Sequence, residues 1–345
     1  MLLNFAAFVI IVAGIMSAKS LILPFLLAAF LAIICGPPLY WLRTKGVPPV
    51  FSIVILVLAL VVVEMVVAGL IGSSLGDFSR SLPIYQSRLK EILAGLIGWL
   101  ENHGIEVTDD ILMEQFNPGR LMGLAANTLN KMGGLLTNTF MIILTFVFIL
   151  LEAAGFPDKL RAVAGSREAS LDDYARITKG VNRYMVLKTA TSLVTGTLVA
   201  ISLKMIGVDF AMMWGLVAFL LNFIPSVGSI IAAIPAVLLA LVQLGYGPAA
   251  ATAACYLFIN VLIGNILEPR IMGSGVGLSP LVIFASMAFW GWVLGPVGML
   301  LSVPLTMTLK IALSGNENTH WLALLLGSNS DARRALRSVQ EESAQ

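Results

Sequence analysis

Apolar residues fall along this chain in long runs separated by short polar interruptions. A membrane-crossing helix needs about 20 such residues. Residues 2–18 and 21–42 predict two spans parted by Lys19 and Ser20, and residues 47–76 predict a third. Residues 134–154 and 186–206 predict a fourth and a fifth. Residues 211–224 and 229–245 are two shorter legs joined by Ile224-Pro225-Ser226-Val227-Gly228. Residues 249–267 form a further span, and 279–294 and 297–313 are again two legs, joined by Gly295-Pro296-Val297-Gly298. The pattern predicts an all-α polytopic membrane protein. It has about eight spans, depending on how the two Pro/Gly-broken hairpins are counted, plus amphipathic helices outside the bilayer.

Two polar segments interrupt the runs. In 77–133, Leu89, Ile92, Leu93, Leu96, Ile97 and Leu100 repeat at helical spacing, and Asn117-Pro118 reads as the start of a second amphipathic helix. In 155–185, Ser170, Asp172 and Asp173 open a helix whose apolar side carries Tyr174, Ile177, Val181, Tyr184 and Met185. Lys159, Arg161, Arg167, Arg176, Lys179, Arg183 and Lys188 make this flank basic, which places it in the cytoplasm. The loop around Arg43 and Lys45 and the tail with Arg333, Arg334 and Arg337 agree, so both termini are expected inside. The resulting division is 1–76 as N-terminal scaffold helices, 77–133 as an extracytoplasmic helical segment and 134–154 as a span. Residues 155–185 then form a cytoplasmic amphipathic helix, 186–313 the transport core, and 314–345 a cytoplasmic tail.

Composition supports the membrane reading. Of 345 residues, 58% are hydrophobic and 12% charged, against about 25% charged in soluble domains. No basic run suggests nucleic acid. Cys35 and Cys255 sit apart in apolar runs and read as free thiols, and His103 and His320 are isolated, so neither metal nor cofactor is expected. The apolar N-terminus lacks a basic leader and reads as a first span rather than a cleaved signal. No metalloprotease, nucleophile-elbow or phosphate-loop motif occurs, which argues against an enzyme and for transport that runs on a gradient or is facilitated.

The run Gly264-Asn265-Ile266-Leu267-Glu268-Pro269-Arg270-Ile271-Met272-Gly273 places charges at the end of a span. A charge at the bilayer centre costs roughly 2.5–3.5 kcal/mol even on insertion scales, so such residues tend to line a path or a site. Pro269 removes a backbone donor, so the helix is expected to break there with Glu268 extended. The two hairpin tips resemble each other in their Trp-Gly, Pro-Gly and Pro pattern and by the leg count point to opposite sides, as inverted repeats do; two unrelated tight loops at the membrane surface are the alternative. Each exposes helix ends that favour anions or hydroxyl oxygens, so Pro225, Ser226, Gly228 and Ser229 in one and Pro296 and Gly298 in the other are candidates for binding or gating. Asn222, Asn260 and Asn265 serve either as interhelical glue or as part of a site, as does Gln243. Glu268 and Arg270 either pair or orient a ligand. Glu64, near the middle of the third span, and Glu268 are the candidates for proton coupling. Thr189, Thr191, Ser192, Thr195 and Thr197 crowd the fifth span, where hydroxyls bond back to helix carbonyls and Gly196 permits close helix contact.

The strings Asn222-Phe223-Ile224-Pro225-Ser226-Val227-Gly228-Ser229, Gly264 to Gly273, Gly277-Leu278-Ser279-Pro280-Leu281 and Phe289-Trp290-Gly291-Trp292 through Pro304-Leu305 resemble the autoinducer-2 exporter family. Leu82-Pro83-x-Tyr85 and Tyr184-x-Val186-Leu187-Lys188-Thr189 extend the resemblance over nearly the whole chain. It implies an inner-membrane exporter of the furanone-derived signal autoinducer-2, working as a homo-oligomer, a pentamer, with one part of each subunit moving against a scaffold. Other members resemble sodium or lithium/proton antiporters. The matching positions are Asn222, Pro225, Gly228, Asn265, Glu268, Pro269, Arg270, Pro296 and Gly298; Glu64 is not among them.

The expectation is therefore a secondary transporter in the lipid bilayer that exports a small polar solute, a polyol or its anionic borate adduct. Its oxygens would be held by the helix ends near Ser229 and Pro296. A cation/proton antiporter and a non-transporting membrane scaffold or regulator are the rival readings.

Overall fold

A computed structural model describes residues 2–103, 123, 139–153, 168–225, 227–272, 277–315 and 319–328. The amphipathic helix expected after Asn117 lies outside these residues, as does Ser226. The described chain is helical: α1 Leu2–Ser17, α2 Lys19–Ile34, α3 Gly36–Thr44, α4 Pro49–Asn102, α5 Thr139–Ala153 and α6 Glu168–Ile206. It continues with α7 Ala211–Leu221, α8 Gly228–Leu244 and α9 Tyr246–Asn260, a π-helical stretch Val261–Leu267, and α10 Glu268–Met272. The last elements are α11 Pro280–Leu294, α12 Pro296–Ser314 and α13 His320–Leu326.

Among the described residues, four helical stretches are long and apolar enough to cross a membrane: 49–99, 180–206, 246–271 and 296–314. A fifth arises if α1 and α2, which meet at 82°, count together as one span. Shorter apolar helices α5, α7, α8 and α11 complete the set. Both broken hairpins form as expected, α7 with α8 and α11 with α12. The second tip is a tight corner. Gly295 takes φ 74°, open to a residue without Cβ, and Pro296 starts α12 where no amide hydrogen is needed.

Two helices run through boundaries expected from polarity. The α4 helix continues for 54 residues, past residue 76, with Pro83 inside it. The α6 helix is continuous from Glu168 to Ile206, across residue 185. Polar residues change the medium around a helix, not its winding, and one proline forfeits one backbone bond rather than the whole helix. The α4 helix thereby joins two packed bodies. Its first half, with Ile53 and Leu56, packs with α2, α3 and α5 around Phe146. Its second half, with Ile71, Phe78, Tyr85 and Leu89, packs with α6 to α9 around Trp214. The second half is tied down by polar bonds. The Tyr85 hydroxyl donates to Asp209 at 2.7 Å, Arg88 donates to the Gln243 carbonyl at 2.9 Å, and the Gln243 amide bridges Asp209 N and Gly207 O. Gln243 is thus glue.

In lipid, apolar burial does not drive helix association, so close packing of small residues must. A Cβ on Gly196 would come within 2.6 Å of the Gly215 carbonyl oxygen, and one on Gly215 within 2.6 Å of Ala200 Cβ. These two glycines set the separation of α6 and α7. At the start of α11, Ser279 accepts the amide of Val282 at 3.2 Å ahead of Pro280. Ser279→Ala is expected to lower stability by about 1 kcal/mol. The readout is the unfolding midpoint in detergent, and an unchanged midpoint would show that the cap contributes nothing.

Candidate functional site

The polar positions of α6 follow one face. Tyr184, Lys188, Thr191 and Ser192 stand at i, i+4, i+7 and i+8, so four polar side chains line up along one face of the helix. That face meets the π-helical stretch. Asn260 and Asn265 are five residues apart, and α winding would turn them to different sides of the helix. Bonding from each residue to the fifth one back brings them into line instead. The same winding accommodates Pro269, whose ring would meet the carbonyl four residues back in an unbroken α-helix. The Glu268 amide bonds to Ile263 O, and Glu268 is helical at φ −54°, ψ −52°. The helix therefore does not break at Pro269, and Glu268 is not extended. The extra residue per turn absorbs the strain that a break was expected to relieve.

Between these elements lies a cavity of about 280 Å³. Tyr184 and Lys188 enter from α6, and Asn222, Ile224 and Pro225 from the first hairpin tip. Ser229 comes from the first turn of α8, and Asn260, Gly264, Asn265 and Glu268 from the distorted helix. Ile283 of α11 and Val303 of α12 supply an apolar wall. Of the sequence candidates, Asn222, Pro225, Ser229, Asn260, Asn265 and Glu268 are brought together here. Gly228 stands behind them: a Cβ on it would overlap the Leu221 carbonyl oxygen, so its lack of side chain lets α8 start directly beneath the tip.

Other candidates are elsewhere. Arg270 is exposed and does not line the cavity. The partner of Glu268 is Lys188, whose ammonium donates to Glu268 Oε1, with the Thr191 hydroxyl on the same oxygen at 3.0 Å. Two residues beyond Glu268, about half a helical turn, Arg270 falls on the opposite side of the helix from the α6 face, whereas Lys188 lies directly on that face. Pro296 and Gly298 belong to the second tip and are not among the lining residues, so among the described residues it is the tip near Ser229 that brings a helix end to this cavity. Glu64 accepts a hydrogen bond from Thr139 on α5, away from the cavity. Asn222 serves as glue and as lining at once: its Nδ2 donates to Ser192 Oγ at 2.9 Å, while the side chain borders the space. Thr189 and Thr195 bond back to the carbonyls of Met185 and Thr191.

Sequence reasoning read Lys188 only as part of a basic flank. A stronger signal was present. Between 186 and 313 the only acids are Asp209 and Glu268, so a lysine one turn inside an apolar run has few counter-charges to find. The Lys188 side chain is 7% exposed and that of Glu268 17%. Removing one member of such a pair leaves the other charge without its counter-ion at a largely buried position.

One side of the cavity is sealed by apolar packing. Val181, Tyr184, Met185, Leu278, Val303 and Met307 cluster there, and Leu326 of α13 packs on them. The Ser279 amide bonds to Leu326 O at 3.3 Å. On the other side, Ser229 and Asn260 are shared with an apolar groove of about 490 Å³ between α8 and α9. Among the described residues no cluster of His, Cys, Asp and Glu could hold a metal ion.

Comparison with known proteins gives a consistent result. Residues 5–315 match the model of the AI-2E family transporter. The chain is 41% identical over 318 residues to the AI-2 transport protein TqsA of Escherichia coli K12, covering 92% of each chain. It is 40% identical over 339 residues to a putative transport protein of Haemophilus influenzae, covering 96% of this chain and 97% of that one. A putative transport protein of Borreliella burgdorferi is 30% identical over 253 residues, 70% of this chain and 66% of its own length.

Proposed function

Because this chain belongs to the AI-2E transporter family, a family of multi-pass membrane transport proteins, we propose that it is a secondary transporter exporting autoinducer-2 or a similar small polar solute. The observation that carries this reading is the small cavity where a broken hairpin, a π-helical stretch and the polar face of α6 converge. Irregular backbone at membrane depth persists where it borders protein or a water-filled space, and π-helical turns concentrate at functional sites. The 41% identity to TqsA supports autoinducer-2 as the solute. The protein resides in the bacterial inner membrane with both termini in the cytoplasm, and it assembles as a homo-oligomer, a pentamer. Part of each subunit moves against the scaffold formed by the first helices.

Purified protein in sealed vesicles is expected to move autoinducer-2, and imposing a proton or sodium gradient identifies the coupling ion. Folded protein that moves no signal under any gradient refutes the reading. Arg270→Ala is expected to keep flux within about twofold of the parent, as for other exposed positions. A collapse of flux in that variant would return Arg270 to the site.

A second reading, a sodium or lithium/proton antiporter, is favoured by one observation: a largely buried carboxylate, Glu268, borders the cavity. It would take up and release the proton. Proton movement driven by added sodium, without signal flux, selects this alternative.

A further inference from the structure

We infer that the cavity takes an uncharged, polyhydroxylated solute and rejects the same solute once it carries a charge. This rests on the reading of the cavity as the transport site. Among the described lining residues, Lys188 is the only basic side chain and Glu268 the only carboxylic one. They are in direct contact, and the Thr191 hydroxyl adds a second donor to the same carboxylate oxygen at 3.0 Å. Their sum is zero, and each charge is compensated by the other at the cavity wall. A solute anion would have to draw Lys188 away and strand the Glu268 carboxylate. A cation would strand Lys188. Both outcomes leave an unpaired charge at a largely buried position, where its lost compensation is not replaced.

The remaining polar groups are carboxamides and hydroxyls: Asn222, Asn260, Asn265, Ser229 and Tyr184. Each carboxamide presents donors and an acceptor, and each hydroxyl does both. Solute hydroxyls likewise donate and accept, so they can satisfy both halves of every amide. Anionic oxygens only accept and would face the amide carbonyls unpaired. The start of α8 at Gly228 opposes this preference, but a helix end amounts to about half a charge at most and is screened by its surroundings. It therefore orients a hydroxyl without neutralising an anion.

The test uses the full chain in detergent and in vesicles, with a pair of probes that differ in charge, erythritol and erythronate. Erythritol is expected to raise the unfolding temperature and slow signal flux, and erythronate at the same concentration to do neither. Autoinducer-2 flux is expected to fall in proportion to the neutral fraction left when excess boric acid converts diols to anionic borate diesters. In Glu268→Gln the Lys188 charge is unopposed, and the preference is expected to swing toward the anion by about tenfold or more. Lys188→Gln combined with Glu268→Gln restores a neutral cavity and the neutral preference, which separates charge selection from a folding defect. Erythronate binding as well as erythritol, flux that rises with borate, or no neutral polyol binding at all would overturn the inference. If erythritol binds and erythronate does not, yet autoinducer-2 is not moved, the charge rule stands and the proposed substrate fails.

Discussion

Replacing Lys188 with methionine is expected to abolish transport and to destabilise the protein by about 3–5 kcal/mol, the usual loss when one member of a buried ion pair is removed. The substitution fills the same space and leaves Glu268 facing a thioether, with the Thr191 hydroxyl as its remaining hydrogen-bond donor among the described contacts. The carboxylate must then take up a proton or draw in water. Combining Lys188→Met with Glu268→Gln removes both charges, and most of the lost stability is expected to return, because a well-packed neutral pair is often as stable as the ion pair it replaces. Transport should remain impaired in the double variant if the pair itself participates in the cycle. Unfolding midpoints in detergent and flux in vesicles read the two effects separately. Equal destabilisation in the single and double variants would show that the pair contributes packing rather than charge compensation.

Gly298→Val and Gly228→Val are expected to cost at least about 3 kcal/mol each, the upper end of overpacking, and to lower the amount of folded protein in the membrane. A Cβ at Gly298 would overlap the Trp290 carbonyl oxygen and lie 2.7 Å from Leu294 Cβ; one at Gly228 would overlap the Leu221 carbonyl oxygen and lie 3.1 Å from Ile224 Cβ. Carbonyl groups of a helix do not rotate aside as a side chain does, so each substitution pushes one hairpin leg off the other. Gly247→Ala is the control. That glycine is exposed in the first turn of α9 with nothing within 4 Å of its would-be Cβ, and alanine there is expected to stabilise by about 0.4–1 kcal/mol. Midpoints of thermal unfolding decide the matter. A Gly298→Val protein as stable as Gly247→Ala would mean that the legs are not in backbone contact.

Much of the architecture was legible from residue order. Apolar run length marked the helices, and Gly295-Pro296 and Pro225 to Gly228 marked the two tips, because glycine and proline act locally on the backbone. Polarity misled where it was taken to end helices, since α4 and α6 run on through charged stretches. Pro269 misled because its local effect was absorbed by the π-helical turn before it.

By itself the sequence determined an all-helical membrane chain with two interrupted hairpins and a small set of polar residues in apolar surroundings. These follow from each residue's own hydration and backbone preferences. The tertiary structure alone decided that Glu268 meets Lys188 rather than Arg270, that Asn260 and Asn265 share one wall, and that Pro296 and Gly298 stand apart from the cavity. Those are facts of distance between segments up to 80 residues apart in the chain. They are set by how closely small residues let helices approach, which no local preference encodes.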